Sequence, residues 1–137
     1  AALLYEQLND IDNILTLKRN IFKNYDQIIE KELNNYTTIY KINDSINTKN
    51  SYWMYVLFIK NLNYKYFEQF MEQKNIQIRP LFYDMKTHNH LKNITTPETV
   101  VNTLFSEGFM IPSYPELTIN QQKYIILAIK DYLITNV

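Results

Sequence analysis

Leu4, Leu8, Ile11, Leu15, Phe22, Tyr25 and Ile29 recur at spacings of three, four or seven, which describes one apolar stripe on a helix from about Ala2 to Leu33. At 1.5 Å per residue such a helix runs roughly 45 Å, longer than a compact domain of this size needs. It is therefore expected to pack against something beyond these residues. No capping residue precedes Ala1, so the chain reads as starting inside the helix, with the N-terminus a cut rather than a natural start.

Residues 34–51 are rich in Asn, Thr and Ser, with one apolar alternation from Ile39 to Ile42, and read as a loop holding a short edge strand. Tyr52–Ile59 is an unbroken aromatic and β-branched run, the pattern of a strand buried on both faces. Asn63 can cap a helix carrying Tyr66, Phe67, Phe70 and Met71, which Asn75 closes. Ile76, Ile78 and the residues to Phe82 predict a second strand, and Pro80 ends its regular pairing or puts it at a sheet edge. Asp84–Thr96 is polar and irregular. Thr95 or Thr96 then caps a helix with Pro97 in its first turn and Glu98 at the positive end of its dipole. Val100, Val101, Leu104 and Phe105 are expected to face inward, and Gly108 to supply the left-handed residue that ends the helix. Phe109–Ile111 predicts a third strand. Thr118 and Gln121 form a capping box ahead of Tyr124, Ile125, Ala128, Ile129 and Tyr132, which are spaced for a final helix. The whole is a small α+β layer of about three strands covered by helices, with residues 1–33 leading in and 34–137 forming the domain.

Length and charge then narrow the function classes. At 137 residues the chain is the size of one domain, and 46% hydrophobic content excludes a disordered segment. Fourteen basic and fourteen acidic side chains balance, so no overall field favours nucleic acid or an anionic membrane. Absence of cysteine removes disulfides, thiolate catalysis and cysteine zinc sites. No run of about eighteen apolar residues is present to span a bilayer, and a cytoplasmic location is expected.

The chemistry the residues offer is sparse. Arg79 stands at the end of a strand beside Pro80, a placement that suits two-pronged binding of phosphate or carboxylate, or else an ordinary surface ion pair. His88 and His90 lie on the polar loop without a third ligand at metal-like spacing. Tyr52, Trp53 and Tyr55 could stack bases, but interleaved basic residues are missing and their unbroken apolarity places them in the core. One glycine cannot build a phosphate loop, and no Ser/His/Asp grouping or catalytic carboxylate pair can be assembled.

Three stretches in order add a family. The run IPSYPELTINQQKYIILAIKDYL (111–133) resembles the closing segment of the DegT/DnrJ/EryC1/StrS family of sugar aminotransferases. The opening AALLYEQLNDIDNILTLKRNIFKNYDQII (1–29) resembles the helix that leaves that family's large domain. SYWMYVLFI (51–59), followed after a helix by NIQIRPLFYDM (75–85), resembles its paired strands with an Arg-Pro-x-Phe-Tyr run after the second. The resemblance implies the small C-terminal domain of a fold type I enzyme that depends on pyridoxal phosphate and works as a homodimer. Such an enzyme moves an amino group from glutamate to a keto-sugar linked to a nucleotide. It implies a substrate-side role at the active-site mouth for Arg79, with Tyr83 and Lys86 as further substrate contacts. The family's cofactor lysine and the acid holding the pyridine nitrogen lie upstream of this stretch, so these residues alone imply no catalysis and no covalent cofactor, only a need for a preceding large domain. Where the family commonly has a glycine, a proline and a histidine, this chain has Asn75, Asp84 and Lys86. Asparagine tolerates the left-handed conformation, but Lys86 cannot act as a neutral proton acceptor. A dehydratase of the same family and a stand-alone α+β interaction module remain open alternatives.

Overall fold

The computed structural model describes residues 2–36, 38–41, 47–48, 50–82, 89–91 and 100–136. The expectations placed on Ile42, Tyr83, Asp84, Lys86, His88, Thr95, Thr96, Pro97 and Glu98, and on the side chains of Leu4, Val100 and Val101, fall outside the described residues.

The leading stripe forms two helices, α1 (Ala2–Asn9) and α2 (Ile11–Leu33), where one was expected. They part at Asp10, whose backbone sits at φ −105° and ψ 13°. Its carbonyl still accepts the Ile14 N–H at 3.0 Å, and its carboxylate takes the Asn13 amide at 3.2 Å. A short polar side chain that bonds locally competes with the helical ladder, which is why Asp favours helix ends over interiors. The stripe divides along its length. Ile21, Tyr25, Ile28 and Leu33 are buried, with Phe22 and Ile29 packed against them, whereas Leu8 is 57% and Ile11 40% exposed.

Four antiparallel strands make one sheet, in the order β1 (Ile39–Tyr40), β2 (Tyr55–Ile59), β4 (Gly108–Ile111), β3 (Arg79–Pro80). The edge strand expected near Ile39 thus pairs as a fourth strand beside the three main ones. Strand β2 starts three residues later than its apolar run because Tyr52 adopts φ 54°, which interrupts extended backbone. Strand β3 is shorter than expected: Ile76 and Ile78 are buried, but only Arg79 and Pro80 pair, at the edge, where a missing N–H does no harm.

Tyr55, Leu57 and Ile59 of β2 and Phe109 and Ile111 of β4 face one way, into a core shared with α2, α3 (Tyr64–Gln73) and α5 (Ile119–Asn136). Phe67 of α3 meets Phe109 and Tyr132 edge-on or tilted at centroid distances of 4.8 and 4.7 Å. Helices α2 and α5 are tied by polar groups as well. Gln122 is wholly buried; its amide donates to the Ile21 carbonyl at 2.8 Å and its oxygen accepts from Asn24 at 3.3 Å. Lys130 and Glu32 close the same interface at 3.0 Å, and that hydrogen bond, first among its causes, holds the Glu32 carboxyl below the ordinary range. Helix α4 (Val100–Glu107) lies toward the opposite sheet face.

The signals at Asn63, Asn75 and the Thr118–Gln121 box hold. Asn63 accepts the Tyr66 N–H at 3.4 Å, Asn75 takes φ 56°, and Thr118 and Gln121 bond each other's backbone N–H at 3.3 and 2.8 Å. Gly108 differs from expectation: its φ is not positive, and it opens β4 instead of closing α4 in the left-handed region. A Cβ there would lie 2.5 Å from the Leu104 carbonyl oxygen and 2.8 Å from Phe58 Cε1, with Leu81 Cδ1 closer still. Glycine is required for space, not for backbone handedness.

Candidate functional site

Beside β3 and beyond the end of β4 lies a cleft of about 900 Å³, bordered by Lys18, Trp53, Asn75, Arg79, Ser113, Tyr114 and Tyr124 among others. Lys18 of α2 borders it, with Gln121, Tyr124 and Ile125 of α5. Lys18 and Tyr25 stand seven residues, about two turns, apart and so point the same way. The Tyr25 hydroxyl donates to the Pro112 carbonyl at 2.7 Å. The Lys18 ammonium donates to the next carbonyl, Ser113, to the Ser113 hydroxyl at 3.4 Å and to the Trp53 carbonyl at 2.8 Å. One lysine therefore joins the approach to β2 with the exit from β4. Burial pushes the Tyr25 hydroxyl up, with the nearby Tyr114 adding to it, and lowers the Lys18 ammonium from its ordinary value.

Arg79 lies directly opposite Met110, which lies opposite Val56. Directly paired residues share a sheet face, so the Arg79 side chain leaves on the face away from the α2/α5 core. It is exposed, and no described carboxylate pairs with it. Lys74, also at the cleft, is paired with Asp131 at 3.1 Å. No described Asp or Glu borders the cleft, so its local charge is positive. Trp53, which borders it, is 64% exposed; outside the cleft lining it stacks on Phe82, 72% exposed, with centroids 6.1 Å apart and planes 17° from parallel.

A second cleft of about 590 Å³ lies between Arg19, Tyr52, Asp26, Lys41, Leu81 and Leu104. Asp26 there accepts from Tyr55 and from Lys41, each at 2.5 Å. Burial first, then that bond, pushes the Tyr55 hydroxyl up. Asp26, Lys41 and Tyr55 are thus committed to one another.

Of the residues the sequence singled out, Arg79 borders the first cleft, while Tyr83 and Lys86 lie outside the described residues. His90 is exposed on a short 3₁₀ turn, Asn89–Leu91, and the described residues contain no group of three or more metal-binding side chains. Trp53 corrects an expectation: it precedes the strand and faces outward instead of joining the core. Lys18 was not singled out at all, yet it left a trace. The apolar stripe skips from Leu15 to Phe22, and Lys18 occupies the position the period leaves open. The described residues do not by themselves make a pyridoxal phosphate site. Both described lysines at the cleft are committed, and no described carboxylate borders it to hold a pyridine nitrogen.

The model of the DegT/DnrJ/EryC1/StrS aminotransferase family matches residues 1–130. GDP-perosamine synthase of Escherichia coli O157:H7 is 25% identical over 133 residues, 96% of this chain and 35% of that protein. Among solved structures, PseC of Helicobacter pylori, an aminotransferase involved in the biosynthesis of pseudoaminic acid, superposes with TM-score 0.82 at 11% identity, covering 96% of this chain and 36% of its own. The sugar aminotransferase CalS13 of Micromonospora echinospora superposes with TM-score 0.74 at 18% identity, covering 90% and 32%. The structural likenesses show the fold, and the chain spans about a third of the length of each of these proteins.

Proposed function

The chain belongs to the DegT/DnrJ/EryC1/StrS aminotransferase family, and from that we propose that its residues form the C-terminal part of a sugar aminotransferase. The family match over residues 1–130 carries this reading. The intact enzyme transfers an amino group from glutamate to a keto-sugar linked to a nucleotide, in the cytoplasm and as a homodimer. Pyridoxal phosphate, bound by residues outside this stretch, supplies the group that carries nitrogen between the two substrates. The 137 residues alone are inert in this reading.

Each part of the described fold then has a task. Residues 1–33 connect to the large domain, and the exposed Leu8 and Ile11 lie against it. Residues 34–137 form the small domain that shapes the substrate entrance. Lys18 and Tyr25 fix the loop after β4 from beneath, so the cleft wall is rigid before substrate arrives. Arg79, aimed off the sheet edge without a described carboxylate partner, binds an anionic group of the sugar substrate by its planar fork. Tyr83 and Lys86 complete the substrate contacts.

The test is amino transfer by the intact protein, given glutamate and nucleotide-linked keto-sugars, followed as formation of 2-oxoglutarate. Production of 2-oxoglutarate matched by aminated sugar supports the reading. Loss of a sugar hydroxyl without net amino transfer would select the dehydratase branch instead.

A further inference from the structure

Helix α5 is apolar on both sides. Ile125, Ile126, Ile129 and Leu133 bury its inner face, yet Tyr124, Leu127 and Ile134 leave apolar surface exposed on the outer one. A helix at a protein surface keeps polar residues on its wet side, and one that is apolar all round is covered all round. Among these three stand two opposite charges, Lys123 and Asp131, both exposed. Lys74 takes the Oδ2 of Asp131 at 3.1 Å, and no described carboxylate pairs with Lys123. The spacing of these residues decides what can cover them. Lys123, Leu127 and Asp131 follow at i, i+4 and i+8, so they form one of the oblique ridges by which helices interlock. Leu127 is the midpoint, with the cation about 6 Å before it along the axis and the anion about 6 Å after. A two-fold axis at Leu127 therefore brings Lys123 of each copy against Asp131 of the other. The ridge is complementary to its own reverse, which is what a two-fold contact between identical surfaces requires. Interlocking two such i±4 ridges crosses the helices at about −50°, the commonest packing class. Tyr124 and Ile134 lie on the neighbouring ridges to either side, so apolar area flanks the charged row.

We propose that the outer face of α5 is a contact between copies of this chain, paired antiparallel about Leu127 and closed by two Lys123–Asp131 ion pairs. A foreign partner would need a carboxylate and a cation at matching separation on either side of an apolar centre; a second copy has them by symmetry. The proposal needs only α5 as it stands and goes beyond the preceding reading. Three apolar side chains per copy fall short of the roughly 1,200–2,000 Å² that a stable interface buries, so the association is weak and reversible, with a Kd on the order of micromolar or above.

Sedimentation velocity of the intact protein, run over a range of concentrations, reads the contact directly. The average mass should climb with concentration towards at least twice its value at high dilution. Lys123→Asp sets like charges against each other at both ends of the row and should weaken association about tenfold or more. Asp131→Lys should do the same, although it also gives up the bond to Lys74. The two exchanges together restore both pairs with their signs reversed, and association should return to within about threefold of wild type. Leu127→Asp puts two carboxylates at the centre and should abolish the rise in mass. Should that variant fail to fold, Lys123→Asp, whose side chain makes no described ion pair, still decides the matter. A mass that does not change with concentration overturns the proposal, as does a double exchange no better than either single one. A reversal that lowers the urea midpoint equally at every concentration and leaves the mass unaltered also overturns it, because the face is then covered by the rest of its own chain.

Discussion

Gly108→Ala adds one methyl group at the junction of α4 and β4, and the structure sets what that methyl meets. Its carbon would stand 2.5 Å from the Leu104 carbonyl oxygen and 2.8 Å from Phe58 Cε1, with Leu81 Cδ1 nearer still. Ordinary contact needs more than 3.4 Å. Leu81 can swing aside, being half-buried, but the Leu104 oxygen is backbone and Phe58 is a fully buried ring paired through its strand with Gly108 itself. Relief therefore requires β4 to move relative to β2 and α4. Overpacking of this kind costs about 1–3 kcal/mol, and a backbone neighbour places Gly108→Ala at or above the upper end, about 3 kcal/mol. For a domain of this size that lowers Tm by roughly 10 °C. Urea unfolding followed by far-UV circular dichroism measures it. Gly108→Asn separates space from handedness. A left-handed helix end tolerates Asn better than Ala, whereas a space-limited site tolerates the larger Asn less. Leu81→Ala added to Gly108→Ala should recover part of the loss, never all, because the Leu104 oxygen stays. A cost below about 1 kcal/mol for Ala, or Asn more stable than Ala, would refute the steric reading.

Burial holds the hydroxyls of Tyr25 and Tyr55 neutral, and both titrate above the ordinary 10.0. A phenol whose folded pKa is raised contributes stability that is complete below its unfolded pKa and is lost as pH rises past it. The urea midpoint should therefore fall above about pH 10, by up to about 1.4 kcal/mol per pH unit for each tyrosine, and Tyr25→Phe should make that fall shallower. Identical alkaline profiles for wild type and Tyr25→Phe would contradict this. Thr118→Ala removes the cap on the Gln121 N–H and should cost about 0.5–2 kcal/mol in urea unfolding, with a Ser replacement restoring most of it. On the proposed function, Arg79→Lys in the intact protein keeps charge but loses the fork; kcat/KM for the keto-sugar should fall by about 1–3 kcal/mol while the glutamate half-reaction stays unchanged. Equal damage to both half-reactions would return Arg79 to a structural role.

What the sequence determined alone lies within a few residues of itself. The capping box of Thr118 and Gln121, the cap at Asn63, the turn at Asn75 and the period of α2 each involve partners three, four or seven positions away, so the chain states both halves of the interaction side by side. The edge placement of Pro80 follows from its own missing N–H. Arg79 was singled out through the Arg-Pro-x-Phe-Tyr run, not through any pattern of charge, and the fold puts it at the border of the first cleft. Tertiary structure decided the rest, because the partners come from distant parts of the chain. Apolarity around Trp53 reads as core until Tyr52, bonded through its N–H to Asn50 at φ 54°, turns the indole outward. Lys18 sits in an apolar stripe and looks like an interruption until Ser113, 95 residues away, brings a carbonyl to its ammonium. Gly108 reads as a helix stop until Phe58, Leu81 and Leu104 close around it. Periodicity and capping are local and additive, whereas who fills a gap, who shares a cleft and how much room one Cα is left depend on strands pairing in the order β1-β2-β4-β3, which no short stretch of this chain encodes.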